Sequence, residues 1–86
     1  MIIFAVTNQG FLELEPVIRT GRYHIWIGSN VLSELALNNY REQGIEITNF
    51  NYVIDPANKD ELDDAIHTIA EHHPGERVWI ECMPQI

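Results

Sequence analysis

Apolar residues recur along this chain in short runs. Their spacing switches between the two-residue repeat of strands and the 3.6-residue repeat of helices. Residues 2–6 are continuously apolar (Ile2, Ile3, Phe4, Ala5, Val6), as suits a strand buried on both faces. Thr7-Asn8-Gln9-Gly10 ends that run with turn chemistry. Over residues 22–27, Tyr23, Ile25 and Ile27 alternate with His24 and Trp26, which predicts a strand with two distinct faces. Residues 45–54 read as the longest strand. Ile45 and Ile47 define one face, while Phe50, Tyr52 and Ile54 fall on the other parity. Either both faces are covered there or a bulge near Asn49 shifts the register. Residues 77–82 alternate Val78, Ile80 and Cys82 against Trp79 and Glu81 and predict a closing strand.

Two helices are written between these strands. Ser33 is a good N-cap with Glu34 in the first turn, and Leu32 before the cap can pack on Leu37 as a hydrophobic staple. Asn30 is the alternative cap. Ala36, Leu37 and Tyr40 face inward, and Gly44 stops the helix. The second helix opens at Asn58, with Glu61 as its capping-box partner and Asp60 in the first turn. Leu62, Ala65, Ile66, Ile69 and Ala70 keep helical spacing on one side, with Asp63, Asp64, His67, Thr68 and Glu71 on the other. His72 and His73 fall in the last turn, and Pro74-Gly75 ends the helix.

Residues 11–21 support two readings. Phe11, Leu12, Glu13, Leu14 and Glu15 alternate weakly and could complete a β-hairpin. Alternatively Pro16 opens a short helix closed by Gly21. The order is therefore β-(?)-β-α-β-α-β, and residues 45–82 have the length of a parallel β-α-β crossover. The fold class this predicts is α/β: a small single-domain sandwich over residues 1–86, on a mixed or mostly parallel sheet of four to five strands. A ferredoxin-like α+β arrangement is the alternative.

Charge narrows the partners. The chain carries 13 acidic and 5 basic residues in 86 positions, a net charge of −8 at pH 7. A phosphate-backbone binder needs clustered Lys and Arg, so nucleic acid is not an expected partner. No run approaches the about 18 apolar residues of a membrane helix, and the apolar opening lacks a basic leader. Cys82 is the lone cysteine, which excludes a disulfide framework within the chain and suits a reducing, cytoplasmic compartment. Without a basic neighbour to activate it, Cys82 reads as a buried, inert thiol.

Chemistry is sparse. His67 and His72 are five positions apart and point away from each other around a helix, so no metal site is expected, and no cofactor motif occurs. Catalytic residues cannot be named, and the balance leans away from an enzyme. Asp60, Glu61, Asp63 and Asp64 concentrate the charge at one helix start. With Trp26 and Trp79 they predict a surface for a basic protein partner, the physical profile of immunity proteins and antitoxins. The alternative is a small-ligand or catalytic site at the carboxyl ends of the strands, lined by Thr7, Asn8, Gln9, Ser29, Asn30 and Asp55, with Met83 last. A chain this short buries only about 60–65% of its unfolded surface. A homodimer, formed through an edge strand or completing such a site, is a natural way to bury more.

Overall fold

Four strands pair in a single parallel sheet of order β3-β2-β1-β4 in a computed structural model that describes residues 1–82. They are β1 (Ile2–Ala5), β2 (His24–Ile27), β3 (Ile47–Asn49) and β4 (Val78–Ile80), with Phe4 in register with both Trp26 and Ile80. The helices are α1 (Asn8–Glu13), α2 (Glu15–Ile18), α3 (Glu34–Glu42) and α4 (Lys59–His72). The all-parallel pairing realises the α/β class and excludes the ferredoxin-like alternative, whose sheet is antiparallel.

β1 is central and has helices on both faces, so all four of its residues are buried. On one face Ile3, Ala5, Ile25 and Ile27 meet Phe11 of α1, Ile18 of α2, and Leu37 and Tyr40 of α3. On the other face Ile2, Phe4 and Trp26 meet Phe50, Ile54 and the α4 residues Ala65 and Ile69. Of the predicted inward stripe of α4, Ala65 and Ile69 are buried, Leu62 and Ile66 half-buried, and Ala70 exposed.

Local chemistry explains where the elements begin and end. Ser33 Oγ accepts from the Ala36 N–H at 3.2 Å, and Gly44 follows α3 in the left-handed region at φ 87°. Asn58 Oδ1 accepts from the N–H groups of Asp60 and Glu61 at 3.1 and 3.2 Å. Glu61 does not return the bond that a capping box requires. Its Oε2 instead accepts the Asp55 N–H at 3.1 Å and ties the preceding loop to the helix.

Two segments differ from expectation. Residues 8–13 form a helix rather than a turn and a hairpin arm, whereas α2 realises the short-helix reading, with Pro16 in its first turn and Gly21 beyond its end at φ 69°. Thr7 caps α1 by accepting the Gly10 N–H at 3.0 Å, so Asn8-Gln9-Gly10 is already helical. The long strand expected over 45–54 is only Ile47–Asn49. The chain leaves the sheet after Asn49, and Phe50 and Ile54 drop into the α4-side core while Ile45 and Ile47 fill the other. That departure, rather than a bulge, accounts for the change of parity.

Candidate functional site

The strand order reverses at β1: β2 and β3 are added on one side, β4 on the other. In open parallel sheets, ligands bind beyond the strand ends where the order reverses. Here the carboxyl ends of β1 and β4 meet at that point, and a protein side chain occupies it. Glu81 Oε1 accepts the N–H groups of Val6 at 2.8 Å and Thr7 at 2.9 Å, and Oε2 accepts the Thr7 hydroxyl at 2.5 Å. The backbone donors that would receive an anion thus already hold one. Gly10 makes room for it, since a β-carbon there would lie 2.1 Å from Glu81 Oε1.

Beside this carboxylate, Thr7, Gln9, Gly10, Glu13 and Cys82 line a recess of about 230 Å³. The other strand-end residues are spent elsewhere. Asn8 Nδ2 donates to the Val31 carbonyl at 2.9 Å, clamping the β1 and β2 ends together. The Ser29 N–H donates to the Tyr52 carbonyl at 3.1 Å, and Asp55 Oδ1 accepts the Ala57 N–H at 2.9 Å. Ser29, Asn30 and Asp55 do not line the recess that holds Thr7 and Gln9. Met83 lies outside the described residues.

The residues expected to meet a partner also separate. Asp60, Asp63 and Asp64 are exposed on α4 and have no cationic partner among the described residues, whereas Glu61 is half-buried against Asp55. Trp26 is 4% exposed, and its ring packs against Phe50 and the imidazoles of His72 and His73, so it belongs to the core. Trp79 is 55% exposed. It pairs with Ile3 across the sheet and so faces the α1 side, opposite α4. No single surface holds α4 carboxylates and both tryptophans.

Cys82 is exposed rather than buried, since it follows β4 at the sheet edge. The histidines gather differently from the helix pairing weighed in sequence. His24 Nδ1 lies 3.2 Å from Glu46 Oε2, its Nε2 lies 2.7 Å from Thr48 Oγ1, and its ring meets His73 edge-on at 4.7 Å. Burial lowers the His24 pKa below the ordinary histidine value, and the His73 charge adds to that, against the pull of Glu46 and Glu76. Among the described residues, no group of three or more His, Cys, Asp or Glu is arranged to hold a metal ion. No described helix is long and apolar enough to cross a membrane.

Sequence reasoning missed Glu81 and Gly10 as partners. No local signal marks them, because the contact joins the two ends of the chain. The chain matches no protein-family model, no curated protein and no solved structure.

Proposed function

We propose that this chain is one small acidic interaction domain that docks a basic protein partner through the outer face of α4. The observation that carries the reading is the trio Asp60, Asp63 and Asp64, exposed and without cationic partners among the described residues. Lys59, the one lysine or arginine on α4, forms no ion pair with them among the described residues, while Arg19 is engaged by Glu15 at 2.8 Å and Arg41 by the Ile47 carbonyl at 2.8 Å. Such a surface speeds capture of a basic protein and repels polyanions. Tyr52, 44% exposed and in ring contact with Phe50 of the α4-side core, offers an aromatic contact on that side. The lone cysteine suits a reducing compartment, and we place this binding in the cytoplasm.

The strand-end reading has less support, because Glu81 satisfies the donors that would receive an anionic ligand. The test is affinity capture from a cell lysate at low and high salt, using the wild-type chain and a variant carrying D60N, D63N and D64N together. A basic protein retained by the wild type at low salt, and lost with either the variant or high salt, is expected. A partner held equally by both chains, or held regardless of salt, defeats the proposal.

A further inference from the structure

The outer edge of β4 is chemically palindromic about Trp79. The Ile2 N–H donates to the Arg77 carbonyl at 2.8 Å and the Glu81 N–H donates to the Phe4 carbonyl at 3.0 Å. Backbone groups of residues 77, 79 and 81 therefore point toward β1. By alternation, the N–H and C=O groups of Val78 and Ile80 point away from the sheet. β4 lies at the end of the strand order, so among the described residues these groups form an open edge. Neither proline nor lysine interrupts it, and Trp79 and Ile80 stand 55% and 39% exposed along it.

We infer that this edge pairs with the same edge of a second copy, the two β4 strands running antiparallel about a two-fold axis at Trp79. In that register Val78 faces the second copy's Ile80 as a hydrogen-bonded pair, twice over, so the outward N–H and C=O groups of both strands are matched. Trp79 meets its own equivalent at the non-hydrogen-bonded position, where opposed side chains approach most closely and aromatic pairs are favoured. Arg77 faces the second copy's Glu81, again twice. Arg77 has no ion-pair partner among the described residues. Glu81 accepts three hydrogen bonds from Val6 and Thr7, which leaves room for one more at a carboxylate with about four acceptor sites.

The other edge fits a second copy less well. By the same alternation β3 turns the backbone groups of Ile47 and Asn49 outward, and the Ile47 carbonyl already accepts from Arg41 at 2.8 Å. The order basic, apolar, aromatic, apolar, acidic across residues 77–81 is what an isologous interface requires, because each residue must complement its own mirror position. A two-fold axis perpendicular to the sheet keeps both α4 helices on one side. The dimer goes beyond the basic-partner proposal and uses none of its residues.

The test is sedimentation velocity of the full chain over a wide concentration range. A reversible dimer is expected, with Arg77→Glu raising its dissociation constant about tenfold or more by setting like charges opposite each other. Circular dichroism confirms that this surface variant remains folded. As a second variant, Trp79→Cys in a Cys82→Ser background should form an interchain disulfide under mild oxidation, since opposed β-carbons at such positions come within disulfide range. The D60N/D63N/D64N variant should dimerise normally, which separates this result from loss of a basic partner. A chain that is monomeric throughout overturns the inference. So does a dimer that Arg77→Glu leaves intact and Trp79→Cys does not cross-link. A foreign strand captured by a monomeric chain would show that the edge serves a different partner.

Discussion

The carboxylate of Glu81 occupies the space that a β-carbon on Gly10 would need, with only 2.1 Å between them. A residue at the end of the last strand therefore dictates the smallest side chain in the first turn of the first helix. Gly10 is buried inside α1, where glycine is ordinarily a cost of about 1 kcal/mol relative to alanine. Here the cost is offset by the carboxylate it admits.

Gly10→Ala should therefore destabilise the protein despite the better helix propensity of alanine. Displacing the carboxylate breaks its bonds to Val6 and Thr7, and we expect a net loss of about 1–2 kcal/mol in denaturant unfolding. In a Glu81→Ala background the same change meets no carboxylate and should be neutral or stabilising. A double-mutant cycle with no coupling between positions 10 and 81 would contradict this account.

Acid sensitivity should begin at a histidine. The folded-state pKa of His24 is lowered from its ordinary 6.5, first by burial and then by the facing His73. Above pH 6.5 the ring is neutral in both states and stability is fully present. As the pH falls below 6.5 the unfolded chain takes up the proton first, so stability declines until the folded-state pKa is passed. Glu46 and Glu76 oppose the effect without reversing it. Melting temperatures measured downward from pH 8 should fall in this window for the wild type and less steeply for His24→Gln. Equal slopes would remove His24 as the cause. Glu15 and Glu76, whose pKa values are lowered by Tyr40 and by the N-terminal ammonium respectively, add losses only as the pH falls below 4.5.

Trp26 should be replaceable by phenylalanine at modest cost. Its indole Nε1 is buried and has no hydrogen-bond partner among the described residues. Trp26→Phe therefore gives up ring volume but no bond, about 1 kcal/mol, whereas Trp26→Ala opens a cavity worth about 3–5 kcal/mol. A phenylalanine variant as unstable as the alanine one would show that the N–H is engaged.

Much of this architecture is legible in residue order because local chemistry sets it. Ser33, Gly44 and Asn58 mark helix ends through bonds made within a few residues, and the alternation over 23–27 matches the two cores that β2 separates. Misreadings arise where the period continues past its element. Phe50 and Ile54 keep strand spacing after the sheet has ended, because a loop can bury alternate side chains as a strand does. Thr7-Asn8-Gln9-Gly10 resembles a turn because the residue types that cap a helix also form turns. Thr7 caps α1 through the Gly10 N–H, while its hydroxyl donates to a carboxylate from far along the chain. The candidate site was less legible for the same reason. The strand-end residues carry the polar chemistry expected of a pocket, yet Thr7 and Asn8 spend it on Glu81 and Val31, contacts that no local spacing encodes.

The strand order carries a consequence for biosynthesis. Of the four described strands β1 is made first, and one of its two neighbours, β4, is made last. Until residues 78–80 emerge from the ribosome, an entirely buried strand of Ile2, Ile3, Phe4 and Ala5 presents one bare backbone edge to the cell. A nascent or truncated chain ending before β4 would thus expose a continuously apolar strand edge, which makes the arrival of β4 the step that shields it.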